Sequence, residues 1–249
     1  TDIDYGFVFD ATNPAIANCR FTGCTMDGGK LYSVLFRIGS TASSANCRIY
    51  NCSLIGNRIS ASTENASEGG GGVHIDQEID RYINGIEIIG NVFSIGSKRG
   101  IYHEISGAPS DASVGFTITG NTFANNYTNA DTLGTTRPVI ELASSGFSIT
   151  GNTVSTVSST VDAVVGAHFF TYFVALSRAA AKKNVICGND VGRITSPYPV
   201  DVSILSITDL MDGPAISGNS GKPQGPLRQV QTTDATVTNL ATQDLTNGR

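Results

Sequence analysis

The stretch Phe116-Thr117-Ile118-Thr119-Gly120-Asn121-Thr122-Phe123 decides the fold. Apolar and polar residues alternate up to Gly120, which is the period of a strand and not of a helix. Gly-Asn then ends the strand, because asparagine tolerates the left-handed backbone region and can bond its own turn. A second short strand starts at Thr122. The same frame stands at Phe147-Ser148-Ile149-Thr150-Gly151-Asn152 and at Ile86-Glu87-Ile88-Ile89-Gly90-Asn91, the latter followed by Val92-Phe93-Ser94. Weaker copies are Val185-Ile186-Cys187-Gly188-Asn189 and Ala215-Ile216-Ser217-Gly218-Asn219. Near the start, Asn18-Cys19-Arg20-Phe21-Thr22-Gly23-Cys24 recurs as Asn46-Cys47-Arg48-Ile49-Tyr50-Asn51-Cys52. The copies end at residues 24, 52, 91, 121, 152, 189 and 219, in steps of 28, 39, 30, 31, 37 and 30. A short repeat unit lengthened by insertions is the signature of a solenoid.

A further strand precedes each copy: Phe7-Val8-Phe9, Val34-Leu35-Phe36, Val73-His74-Ile75, Ile101-Tyr102-His103, Val139-Ile140 and Phe173-Val174. Three short strands per unit describe one coil of a parallel β-helix. The expected fold is therefore all-β, a solenoid of about seven coils stacked about 4.8 Å apart. Like residues then lie on like, and Asn91, Asn121, Asn152, Asn189 and Asn219 form one column. In the same register Cys19 is expected beside Cys47, and Cys24 beside Cys52. These cysteines read either as a metal site or paired disulfides, or as a ladder of small buried residues. The Cys-x4-Cys spacing is not a usual zinc clip, and free cysteine is often buried, which favours the ladder.

Composition agrees with a solenoid that has a polar, weakly charged surface. Charged residues make up 15% of the 249 residues, against about 25% in an average soluble protein. The net charge of −5 and pI near 5.1 argue against a nucleic-acid partner, which needs a basic face. The longest apolar run, Ala163 to Leu176, is interrupted by Gly166, His168 and Thr171 and is too short to span a bilayer, so no membrane insertion is expected. The chain starts at Thr1 without a signal peptide and reads as a fragment. Residues 61–72 and 125–138 read as polar inserted loops, the first ending in four glycines. No phosphate-binding signature follows a strand there. The organisation expected is a β-helix domain over 1–228. Residues 229–249 read as an exit segment toward a C-terminal domain that this chain lacks.

The recurrent apolar-x-Ile-x-Gly-Asn-x-Phe frame resembles the right-handed parallel β-helix of the pectate-lyase-like superfamily. The low charge and the Val73-His74-Ile75 and Gly100-Ile101-Tyr102-His103-Glu104 coils look most like bacteriophage tailspike proteins, as does the segment Val230-Gln231-Thr232-Thr233-Asp234-Ala235-Thr236. The resemblance implies a homotrimer on the virion tail, outside the cell. It also implies a partner in bacterial surface polysaccharide (capsule or lipopolysaccharide), which such proteins bind and often cleave.

Chemistry is expected on the outer face of the strand that precedes each Gly-Asn copy. With Val73, Ile75, Ile101 and Ile105 inward, His74, Asp76, Tyr102 and Glu104 face out. Glu141 follows if Ile140 and Leu142 point in, and Arg37 and Asp10 lie in the same region. Glycoside hydrolysis needs two carboxyls, one acid and one ionised. The catalytic candidates are Asp76, Glu104 and Glu141, and the substrate-binding candidates are Arg37, His74 and Tyr102. Stacked carboxylates are expected to raise one another's pKa, which would keep one protonated. The bland alternative is an acidic face that only confers solubility. His103 falls on the inward phase and reads as a buried core residue. A lyase would instead use Tyr102 or His74 as base, with Arg37 neutralising a uronate. Asp76, Glu78 and Asp80 have a calcium-like spacing but lie on a strand without the EF-hand glycine. No metal and no cofactor is expected. Three functions compete: a polysaccharide depolymerase of endo-glycosidase type, a non-catalytic receptor-binding fibre, and a structural shaft. The loops and the outward aromatic and acidic cluster disfavour the shaft.

Overall fold

A computed structural model describes residues 5–10, 15–28, 31–38, 48–60, 71–78, 82–95, 99–106, 115–125, 138–143, 145–156, 172–176, 184–191, 200–204, 215–220 and 226–230. Every element among these residues is a strand, and none is a helix. The first pass of the chain consists of β1 (Tyr5–Asp10), β2 (Ala15–Ala17), β3 (Arg20–Thr22) and β4 (Thr25–Asp27). The second pass is β5 (Tyr32–Arg37), β6 (Arg48–Tyr50), β7 (Ser53–Ile55) and β8 (Arg58–Ser60). The third is β9 (Gly71–Glu78), β10 (Tyr82–Asn84), β11 (Glu87–Ile89) and β12 (Val92–Ile95). Then come β13 (Ile101–Ser106), β14 (Thr117–Thr119), β15 (Thr122–Asn125), β16 (Pro138–Leu142), β17 (Ser148–Thr150) and β18 (Thr153–Thr156). The last are β19 (Tyr172–Leu176), β20 (Val185–Cys187), β21 (Val200–Ile204), β22 (Ala215–Ser217) and β23 (Pro226–Val230).

These strands fall into four sheets. The first has eight strands in the order β1-β5-β9-β13-β16-β19-β21-β23, and the second has three, β10-β6-β2. The third has seven, from β22 to β3, and the fourth five, from β18 to β4. All pairings between named strands are parallel and join successive passes. A chain that returns to each sheet one strand further on, always in the same direction, fits a parallel β-solenoid. The sheets enclose a continuous core: Phe36, Phe93, Phe116, Phe123, Phe147 and Phe173 are among its largest fully buried side chains.

The asparagine column forms as the sequence predicts, and it is longer. Asn91, Asn121, Asn152, Asn189 and Asn219 are all buried. Each of the first four donates its side-chain amide to the Oδ1 of the next, at 2.8–3.0 Å. Each Oδ1 from Asn121 onward also accepts the backbone N–H of the preceding asparagine. A buried amide is acceptable only when its donors and acceptor are satisfied, and here stacking satisfies them. Asn57 belongs to the same ladder, bonding Asn91 in the same way, and Cys24 takes the equivalent place on the first pass, its N–H bonding Asn57 Oδ1.

This corrects the register of the first copies. Phe21 pairs with Leu54, not Ile49, so the second copy is Ser53-Leu54-Ile55-Gly56-Asn57. The ladder steps become 33 and 34 residues where the cysteine match gave 28 and 39. Cys24 therefore stands beside Asn57, not Cys52. Cys19 stands level with Cys52, since Ser53 N–H bonds Cys19 O, and Cys47 lies outside the described residues. The four described cysteines are free thiols, Cys52 buried and Cys24 exposed.

The expectation of three strands per coil is also corrected. The first three passes carry a fourth short strand, β2, β6 and β10, which makes the second sheet. A left-handed residue, Asn18, Asn51 or Gly85, turns the chain from it into the third sheet. That extra strand is what imitates a repeat copy at residues 46–52. Gly71 and Gly72, expected in a loop, open β9 instead. Glycine is needed there because a Cβ on Gly72 would lie 2.6 Å from the buried Phe93 ring. Asn125 and Pro138, the ends of the second loop, close β15 and open β16; the remaining residues of both inserted loops lie outside the described residues, as does His168.

Candidate functional site

The first sheet positions the candidate residues in two rows. In one, Leu35, His74, Tyr102 and Glu141 follow one another on β5, β9, β13 and β16; Leu35 and His74 are buried, so His74, expected to face out, is covered by its neighbours. In the other, Asp10, Arg37, Asp76 and Glu104 do so on β1, β5, β9 and β13. Asp76 and Glu104 are direct register partners, one strand step apart. The intervening residues Val73, Ile75, Ile101 and His103 are fully buried, which fixes the outward phase of their neighbours.

Glu104 is the centre of the cluster. Its Oε1 lies 2.9 Å from His74 Nε2, and its Oε2 accepts the Tyr102 hydroxyl at 2.7 Å. With the carboxylate as acceptor on both sides, His74 donates from Nε2. The hydrogen bond from His74, aided by that from Tyr102 and by the positive Arg99, holds the Glu104 carboxyl below the usual carboxylate range despite desolvation. For Glu104 the expected rise through stacked carboxylates is thus overturned: the donors aimed at it outweigh its desolvation. Burial, the Glu104 hydrogen bond and nearby acids push the Tyr102 phenol up, so it remains a donor at neutral pH.

Around this centre the rings stack. His74 lies 5.1 Å from Tyr102, 4.9 Å from Tyr32 and 6.2 Å from Tyr5, centroid to centroid. The Arg99 guanidinium sits 4.6 Å over the Tyr102 ring and pairs with Glu141. Arg37 pairs with Asp10, and Asp76 adds its field to Arg37. The structure therefore brings His74, Tyr102 and Glu104 into direct contact. It sets Asp76 beside Glu104 by register, and it ties Glu141 and Arg37 into ion pairs of their own. Among the described residues no group of three or more His, Cys, Asp or Glu side chains is arranged to hold a metal ion. The side chain of Glu78, and all of Asp80, lie outside the described residues.

Sequence reasoning missed Tyr32, Tyr5 and Arg99. All three lie in a third row, Tyr32 buried and Tyr5 and Arg99 half-buried, ahead of the apolar alternation used to assign faces. A usable signal was the step from Tyr32 to Gly71, where loss of a side chain leaves room for the ring. His103 sits in the core against Phe116 and Phe147, and burial lowers its pKa to about 3.

Comparison with protein-family models, with curated proteins and with solved structures finds no match for this chain.

Proposed function

We propose that this chain is the right-handed parallel β-helix, of about seven coils, of a bacteriophage tailspike. In this reading it recognises and cleaves bacterial surface polysaccharide as a homotrimer on the virion tail. Handedness rests on the strong preference of parallel crossovers for the right-handed path. The observation that carries the function is the Glu104 carboxylate, held ionised by His74 and Tyr102 on the solvent face of the eight-stranded sheet. Glu104 then acts as base or nucleophile and Asp76 as acid. One strand step of about 4.8 Å between their backbones is near the carboxyl separation of about 5 Å that serves a retaining glycosidase. The half-buried Tyr5 and Tyr102 rings, backed by the buried Tyr32, offer apolar edges for sugar C–H groups, while Arg99 and Arg37 position hydroxyls.

A second reading, a receptor-binding surface without catalysis, is favoured by one observation. Glu104 is already engaged by two donors, and both arginines are ion-paired. A lyase is less well supported, because Tyr102 is a poor base with its pKa raised and Arg37 is committed to Asp10. The test is to incubate the protein with capsular polysaccharide and lipopolysaccharide. New reducing ends support hydrolysis, absorbance of an unsaturated sugar supports a lyase, and binding with neither supports the non-catalytic reading.

A further inference from the structure

A groove of about 390 Å3 runs along the corner between the second and third sheets, away from the first-sheet cluster. That volume is in the range of ligand clefts. Its origin is a column of left-handed residues: Asn18 (φ 57°), Asn51 (φ 53°), Gly85 (φ 61°) and Gly115 (φ 59°). The two asparagines fill the corner, the Asn51 side chain reaching over Gly85 with its Oδ1 2.9 Å from where a Cβ would stand, and Gly115 leaves the next step open. Nothing lies within 4 Å of where a Gly115 Cβ would be.

The wall of the groove is a single row. Arg20, Ser53, Glu87 and Thr117 are in register on β3, β7, β11 and β14. At steps of about 4.8 Å the row carries an exposed guanidinium, a buried hydroxyl, an exposed carboxylate and a half-buried hydroxyl. The positive and negative charges cancel, and the hydroxyls can both donate and accept. An added peptide strand does not fit, because β7 and β11 are already paired on both sides and offer no free edge. Tyr82, three residues before Gly85 on β10, is 48% exposed, with the Arg48 guanidinium 5.7 Å over its ring, and is not part of the groove lining.

We propose that this groove is a second ligand site, separate from the first sheet, that holds a neutral, extended oligosaccharide along the stacking direction. A polymer of hydroxyl-rich rings matches a wall that offers a guanidinium, a carboxylate and a hydroxyl along one row, and the balanced charge of Arg20 and Glu87 gives no preference for a polyanion.

The test uses an array of neutral and uronate-bearing bacterial oligosaccharides, read with the wild type and three variants. Gly115→Asn fills the groove with the residue that the same column carries at 18 and 51, so the left-handed backbone is retained. Glu87→Ala removes an exposed wall group, and His74→Ala alters only the first sheet. The expected result is binding of at least one neutral oligosaccharide, weakened about tenfold or more by Gly115→Asn and about threefold or more by Glu87→Ala, and unchanged by His74→Ala. With that ligand bound, iodoacetamide should label Cys19, which lines the groove, more slowly, and Cys187 at its former rate. Absence of any neutral ligand, or binding indifferent to both groove variants, overturns the proposal. Binding lost in His74→Ala alone also overturns it, while leaving the first-sheet function standing.

Discussion

The ring of Tyr32 lies over Gly71 on the neighbouring strand, in the space that a Cβ would take. This places the ring 4.9 Å from His74 and 6.2 Å from Tyr102, so one glycine sets the packing of the aromatic cluster. Gly71→Ala should displace Tyr32 and also press on the Arg99 carbonyl, 2.6 Å from the added methyl. The expected cost is about 1–3 kcal/mol, as for overpacking elsewhere. Urea denaturation measures it, and near-ultraviolet circular dichroism should change with it, because tyrosine environments shift and the chain has no tryptophan.

The asparagine ladder makes two opposite predictions. Asn121→Ala leaves the Asn91 N–H and the Ile88 carbonyl without their side-chain partners inside the core. An orphaned buried donor costs about 1–3 kcal/mol, so a clear fall in the urea midpoint is expected. Cys24→Asn does the reverse. It puts an amide at the open end of the ladder, next to Asn57 Oδ1, which already accepts the Cys24 N–H at 2.9 Å. One added hydrogen bond at a partly exposed site should raise stability by about 0.5–1 kcal/mol. An unchanged midpoint in both variants would mean that the ladder follows from the fold without holding it.

How much of this was legible in the sequence depends on which residues repeat. Asn91, Asn121 and Asn152 recur at steps of 30 and 31 with the same Gly before them, so both the column and the strand before it could be read. Asn57 was hidden by a stronger accidental match, Cys-Arg at 19–20 against 47–48, although Leu54-Ile55-Gly56-Asn57 fits the frame better. His74, Asp76, Tyr102 and Glu104 were legible because they alternate with Val73, Ile75, Ile101 and His103. Their partnerships were not. Whether Glu104 meets a donor or another acid depends on side-chain direction across strands, which the alternation does not carry. Arg99 lies just before its strand, so no period points to it.

Acid should weaken the core through His103. Its ring is fully buried among Phe116 and Phe147, and its pKa falls from about 6.5 to about 3 because burial disfavours the charged form. The unfolded chain therefore binds a proton between these values that the folded chain refuses. Stability rises with pH across that window by linkage. The neutral ring's contribution is complete above about pH 6.5 and is lost as pH falls toward 3. His103→Gln, which can still meet Gln77 across β9, should flatten the pH dependence of the urea midpoint between pH 6 and 4 by up to one proton. An unchanged slope would place the acid sensitivity in the carboxylates.

Glu104 tests the site without testing the fold. Its carboxylate accepts from His74 and Tyr102, and its side chain is more than a third exposed. Glu104→Gln keeps the shape and one acceptor oxygen, so stability should change by under about 1 kcal/mol. If Glu104 is base or nucleophile, turnover of polysaccharide should fall at least about a hundredfold, in line with the loss of such a group. Asp76→Asn should fall similarly if it is the acid. The depressed Glu104 pKa adds a signature. Because its folded value lies below the ordinary carboxylate value near 4.3, the ionised form persists on acidification. The acid limb of kcat/KM should therefore fall below pH 4.3. His74→Phe removes the first donor to Glu104 and should move that limb upward, while Tyr102→Phe should move it less, following the order of the two hydrogen bonds. An acid limb that stays in place in His74→Phe would detach Glu104 from the rate. Glu104→Gln with full turnover would leave the cluster as a recognition surface, where the same substitutions should weaken polysaccharide binding instead.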